Sequence, residues 1–186
     1  MRREIELTDG SVLLRPYRVD DIDNLYQAIR ESITEISKWM SWCHEGYSIE
    51  ENRAWIEARA EAWAKGTDYD FIITSAMDGF LIGGCGLRYF DYNYRIAELG
   101  YWVRTSRTKK GVATAATRLL AQFGFKELEL NRIEIVVAVG NKISQRVAEK
   151  AGATREGILK NRLFIREQVH DAVMFSLIPG DLASTG

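Results

Sequence analysis

Two stretches of this 186-residue chain carry residue types whose spacing could do chemistry. The first runs Tyr101-Trp102-Val103-Arg104-Thr105-Ser106-Arg107-Thr108-Lys109-Lys110-Gly111-Val112-Ala113-Thr114. A strand-like run passes into a short basic loop, and the loop opens a long helical pattern. The N–H groups at a helix start have no partner inside the helix and carry the positive end of its dipole, roughly +0.5 of a charge. Such a point binds phosphate through backbone alone. Arg107, Lys109 and Lys110 add charge beside it, and Gly111 and Ala113 let a ligand lie close to the chain. The plain alternative is a solvated basic loop ahead of a poorly capped helix. The second stretch is Val137-Ala138-Val139-Gly140-Asn141, followed by Ser144, Val147, Lys150 and Gly152. Asn141 and Ser144 share the first turn of a helix. They read either as a polar pair facing a ligand or as an N-cap with its partner.

Composition narrows the choices. The formal charge is −1, with 46% apolar and 27% charged residues, so the chain is an ordinary folded domain and lacks the basic excess of a generic nucleic-acid binder. With 5 Trp, 8 Tyr and 7 Phe it can bury a substantial core. No apolar run approaches the ~20 residues that span a bilayer. Met1 to Glu4 carry no apolar leader pattern, which points to the cytoplasm. Cys43 and Cys85 stand in no metal or redox spacing and read as free thiols. With only His44 and His170, no metal motif is expected. Neither a phosphate loop ending in Gly-Lys-Ser/Thr nor a nucleophile elbow is present.

The elements that must position these residues follow from hydrophobic period. Strands are expected at Val12–Tyr17, Phe71–Thr74, Phe80–Tyr89, Ile96–Val103, Arg132–Val139, Ile158–Ile165 and Val169–Ile178. A first helix follows an N-cap at Asp20 or Asp21, with Ile22, Leu25, Tyr26 and Ile29 on one face. Ser48-x-x-Glu51 is a capping box, and the helix it opens ends near Gly66. Val112, Ala115, Ala116, Leu119, Leu120 and Phe123 stripe a third helix. A fourth starts at Asn141 and stops at Gly152, where a left-handed residue belongs. The result is one α/β (α+β) domain over 1–186, a mixed and mostly antiparallel sheet of about seven strands flanked by about four helices. The crossover from Ile96–Val103 through the helix at 111–127 to Arg132–Val139 should be a βαβ unit.

In that order and spacing the chain resembles the GNAT superfamily of acetyl-CoA-dependent N-acetyltransferases, and within it the RimJ/RimL ribosomal-protein branch. The resemblance spans nearly the whole chain. It rests on Leu14-Arg15-Pro16, Trp39-Met40-x-Trp42, Ser48-Ile-Glu-Glu and Leu81-Ile82-Gly83. It continues in Glu98-Leu99-Gly100-Tyr101-Trp102-Val103 and Lys110-Gly111-Val112-Ala113-Thr114, and ends in Asn141-x-x-Ser144, Glu149-Lys150-x-Gly152, Arg155-Glu156-Gly157 and Asp171. It implies a GNAT fold whose sheet splays in the middle, with the strand at Glu98–Val103 bulging at Gly100. The pantetheine arm of acetyl-CoA enters the splay and pairs with backbone near Trp102 and Val103. The pyrophosphate sits on the amides of Thr108, Lys109, Lys110, Gly111, Val112, Ala113 and Thr114, and Asn141 bonds the arm. The loop departs from the family pattern, with Thr108 at a usual Arg or Gln and Lys109 at a usual Gly; Arg107 could restore the charge.

The same resemblance implies acetyl transfer to a primary amine by direct attack in a ternary complex, without a metal. Glu98 is the expected base, unless it is a surface carboxylate paired with Arg95 or another cation; His170 and Asp171 are the alternatives. Ser144 is expected to protonate the departing thiolate, unless it only caps its helix. Trp39, Trp42, Tyr89 and His170 are expected to bind the acceptor, with His44, Tyr47 and Tyr92 nearby. The acceptor is a protein N-terminus, such as that of a ribosomal protein, or a small amine: a polyamine, an amino acid or an aminoglycoside. A CoA-binding module without catalysis is the reading from another class. Nucleic-acid and membrane partners are not expected, and the branch implies a homodimer.

Overall fold

The computed structural model describes residues 5–182; Met1 to Glu4, in which no leader is expected, lie outside them, as do residues 183–186. Among the described residues eight strands form one sheet. They are β1 (Leu7–Thr8), β2 (Val12–Pro16), β3 (Tyr69–Ser75), β4 (Leu81–Asp91), β5 (Ile96–Val103), β6 (Arg132–Ala138), β7 (Thr154–Ile165) and β8 (Gln168–Leu177). Their order is β1-β2-β3-β4-β5-β6-β8-β7. Every neighbouring pair is antiparallel except β5 and β6, which are parallel and joined through a helix. The α-helices are α1 (Ile22–Ile36), α2 (Ile49–Lys65), α3 (Val112–Glu127) and α4 (Lys142–Ala151).

Alternation along β3 sorts the core into two layers. Phe71 and Ile73 join the cluster that contains Ala116 and Leu120 of α3, while Ile72 joins the one that contains Leu25 and Ile29 of α1. The sheet is therefore covered by α3 on one face and α1 on the other. Helix boundaries follow local chemistry. Ser48 and Glu51 form the capping box of α2, and Gly66 ends it in the left-handed region at φ 73°. Asn141 caps α4 by accepting the Ser144 N–H, and Gly152 closes it at φ 101°. Asp21 departs from expectation. It precedes α1 without capping it, because its carboxylate is drawn onto the Arg15 guanidinium at 2.7 and 2.8 Å.

Two irregularities place side chains for the site. The expected bulge at Gly100 is absent, and Gly100 pairs in register with Gly86. The register shift lies between Arg88 and Asp91, so β4 carries the extra residue, and Tyr89 has φ 53°. The second shift lies in β7 between Leu159 and Leu163. There Asp171 accepts the Asn161 N–H at 2.9 Å and the Lys160 ammonium at 2.8 Å. Asp171, an alternative base in the sequence, is thus engaged in holding this bulge.

Candidate active site

The β5–α3 loop is fastened before the helix begins. Ser32 of α1 accepts the Thr105 N–H at 2.9 Å and Glu31 accepts the Ser106 N–H at 3.1 Å. Arg104 and Arg107 lie over the Phe80 ring, 4.7 and 4.5 Å from its centre, so the Arg107 head is packed on an aromatic face beside the loop. Beyond them the chain turns through Lys109 at φ 62° and Gly111 at φ 80°. Left-handed residues set among others turn successive N–H groups into one concavity. Lys109 therefore stands in the left-handed region that favours glycine, at a cost in strain of about 1–2 kcal/mol. Gly111 occupies the N-cap of α3, and no side chain caps that helix. The first-turn amides of Val112, Ala113 and Thr114 have no acceptor within the helix. Thr108, Lys109 and Lys110 are exposed around them.

Beside this helix start the sheet opens. The β5–β6 ladder runs only through Ile96–Arg132, Ala97–Ile133 and Glu98–Glu134, although β5 continues to Val103 and β6 to Ala138. The Arg104 N–H bonds the Ile82 carbonyl on β4 at 2.7 Å. Alternation in an antiparallel ladder then turns the Trp102 backbone toward β4 and the Val103 and Tyr101 N–H groups toward the opening. Across the opening stands α4. The Tyr101 hydroxyl lies 2.8 Å from Ser144 Oγ and donates to the Ser144 carbonyl at 3.0 Å. Burial pushes the Tyr101 phenol up to about 12, against the lowering effect of its bond to Ser144. The Asn141 side-chain oxygen is taken by the Ser144 N–H at 3.2 Å.

The other mouth of the opening is a cleft of about 440 Å³ between the α1–α2 loop, β4, β5 and β7. Its lining includes Trp39, Trp42, Tyr47, Tyr89, Glu98 and Trp102. Glu98 is half-buried where β5 and β6 part. Burial raises its pKa, Arg162 at 3.2 Å lowers it, and Glu134 raises it again. Its cation is thus Arg162 from the β7 bulge, while Arg95 faces Glu129. His44 pairs with Glu51 at 2.9 Å. Tyr92 lies apart, stacked on Phe90 with its hydroxyl donating to the Gly66 carbonyl. His170 pairs with Leu163 along β8 and is not part of the cleft lining. No cluster of His, Cys, Asp or Glu among the described residues could hold a metal ion, and no described helix is long and apolar enough to cross a membrane.

Residues 11–154 match the family model described as acetyltransferase (GNAT) domain. The chain belongs to the GNAT acetyltransferases. It is similar to YdaF of Bacillus subtilis strain 168, provisionally named a ribosomal N-acetyltransferase, at 32% identity over 90% of this chain and 91% of that one. A Vibrio cholerae structure, provisionally described as a ribosomal-protein-serine acetyltransferase, superposes with a TM-score of 0.84 at 30% identity, covering 96% of this chain and all of that one. RimL in complex with coenzyme A superposes with a TM-score of 0.86 over 94% of this chain and 98% of that one; at 19% identity it shows a shared fold.

Three features of this GNAT domain were not legible in its sequence. Tyr101 and Ser144 meet across 43 positions, and no local pattern joins them. Gln145 is buried beneath the β6–α4 turn, where its amide bonds the carbonyls of Ala138 and Val139 at 3.3 and 2.8 Å. Asp70, 2% exposed, is gripped by Arg59 at 2.6 Å and by Arg88 at 2.6 and 3.0 Å under the floor of the cleft. Arg59 and Arg88 stand eleven and eighteen positions from Asp70, beyond the reach of any local pattern.

Proposed function

We propose that this N-acetyltransferase moves the acetyl group of acetyl-CoA to the α-amine of a protein N-terminus by direct attack in a ternary complex. The observation that carries this reading is the parting of β5 and β6 between an uncapped helix start on one side and an aromatic cleft on the other. The donor fits there. The amides from Thr108 to Thr114 suit a pyrophosphate, and the open edge of β5 offers unpaired strand backbone to a pantetheine amide. RimL holds coenzyme A on the same fold, and the names of YdaF and the Vibrio protein favour a protein acceptor.

Each residue then has a task. The N–H of Val103, which strand alternation turns toward the opening, polarises the thioester carbonyl. Glu98 receives the amine proton. About a tenth of an α-amine of pKa ~8 is already neutral at pH 7, whereas a lysine amine at ~10.4 is almost wholly charged, so a carboxylate suffices for the former. Ser144, backed by Tyr101, donates to the departing thiolate, and Asn141 fixes the turn that presents it. Trp39, Trp42 and Tyr89 line the acceptor side, and His170 lies outside it.

The donor site is tested by thermal unfolding with acetyl-CoA, using ATP and NAD as controls. At ~100 times its dissociation constant the ligand stabilises by about 2.7 kcal/mol. For this chain length that raises the midpoint by about 5–11 °C. No shift with millimolar acetyl-CoA would contradict the reading.

A further inference from the structure

We propose that the acceptor cleft selects peptides whose first residue is large and apolar; this rests on the N-terminal reading above and names its substrate class. Two observations carry it, the charge state of the cleft and its shape.

Every carboxylate in the lining already has a partner. Glu51 is bonded to His44, Asp70 to Arg59 and Arg88, and Glu98 to Arg162. Glu51, 46% exposed beside His44, stands at the water-facing rim, and inside the cleft no carboxylate is left over for a second ammonium, so a polyamine or a lysine-first peptide would bury charge there without compensation. A single amine can still face Glu98. Arg88 stands directly opposite Glu98 in the β4–β5 ladder and also lines the cleft. It holds Asp70 through Nε and Nη2, and Nη1 makes neither bond. An α-amine has a carbonyl oxygen one carbon further on, so Glu98 and Arg88 side by side suit the amine and the first carbonyl of a peptide.

The space beyond them is apolar. Leu25 and Ile29 stand at its back, with Trp39, Trp42, Trp55 and Trp102 around it. Trp39 and Trp42 are 37% and 39% exposed, an unusual amount of uncovered indole. An apolar cavity on the order of 150 Å³ accepts a benzene ring, so about 440 Å³ accommodates an amine, a carbonyl and a large side chain together. A first residue of Gly, Ala or Ser would leave these walls wet. The floor holds its shape through close approach: a Cβ on Gly84 would stand 2.2 Å from the Tyr17 hydroxyl, and one on Gly86 2.2 Å from the Asp70 carboxylate.

The test is thiol release with saturating acetyl-CoA and hexapeptides that differ only at the first residue, Ser, Ala, Leu or Phe, with spermidine alongside. Product binding is measured in parallel by calorimetry with the N-acetylated Leu and Ser peptides. Pockets of this kind discriminate by roughly 10–200-fold per side-chain group. Leu and Phe should exceed Ser by at least about tenfold in kcat/KM, with the same ranking in product affinity. In Trp42→Ala, whose exposed side chain can be removed without opening the core, that ratio should fall about threefold or more. Ser or Ala peptides acetylated as well as Leu would overturn the proposal and leave the N-terminal reading standing. Acetylation of spermidine but of no peptide would overturn both.

Discussion

Glu98→Gln should lower kcat by about 10²–10⁴-fold, the usual contribution of a positioned base. The amide keeps the shape of the side chain and its place against Arg162, so the fold and the donor site should persist, and thermal stabilisation by acetyl-CoA verifies that. The pH profile supplies the sharper readout. The base must be ionised to accept a proton. Burial raises the Glu98 pKa, Arg162 lowers it and Glu134 raises it, with the net shift upward from 4.5. Once corrected for ionisation of the peptide amine itself, the acidic limb of kcat/KM should therefore lie above that of an unperturbed glutamate. Arg162→Gln removes the lowering influence and should move the limb to still higher pH, whereas Glu98→Gln should abolish it. An unchanged limb in Glu98→Gln would assign the base elsewhere.

Asp70→Ala should destabilise the fold by about 3–5 kcal/mol, because removing one member of a buried ion cluster strands the others. Asp70 is 2% exposed, while the side chains of Arg59 and Arg88 are 14% and 36% exposed. The partial exposure lets the two guanidiniums reach some water, which favours the low end, a fall in melting temperature of at least about 6 °C. The effect on function follows from the ladder. Arg88 faces Glu98 in the ladder, and with Asp70 gone the carboxylates around it are Asp68, 3.8 Å from its Nε, and Glu98. A cation that Glu98 shares with Asp68 can only lower the Glu98 pKa, so the acidic limb should not move up in this variant, in contrast to Arg162→Gln. Unfolding by heat and the rate profile check both halves. A stability loss under about 1 kcal/mol would mean that the cluster is not held as a unit.

What could be read in the sequence was whatever depends on near neighbours. The capping box at Ser48, the α3 stripe from Val112 to Phe123 and the Asn141 and Gly152 ends of α4 each encode their geometry within a few residues. The splay between β5 and β6 came through the resemblance, since nothing in the apolar run from Ile96 to Val103 announces where its pairing stops. Bulges escaped for the same reason. Gly100 attracted the expectation because glycine tolerates a bulge, yet the extra residue sits at Tyr89–Phe90, where the register of β4 against β5 sets it and no residue type marks it. β1 has two residues and carries no period. The start of β7 at Thr154 lies in a polar edge strand with no apolar alternation to mark it. The Asp70 cluster joins α2, β3 and β4, so each of its three members looked like an ordinary charged residue. Lys109 shows the converse: a residue that departs from the family pattern stands in the left-handed region at φ 62°, which a glycine would also favour.

The most direct measurement incubates the chain with acetyl-CoA and a pool of peptides with free N-termini and internal lysines, then locates any acetyl group by fragment mass spectrometry. The account requires acetyl on the α-amine, absent when the N-terminus is blocked and strongly reduced in Glu98→Gln. Acetyl confined to lysine side chains, or to a small polyamine added to the same pool, would contradict it.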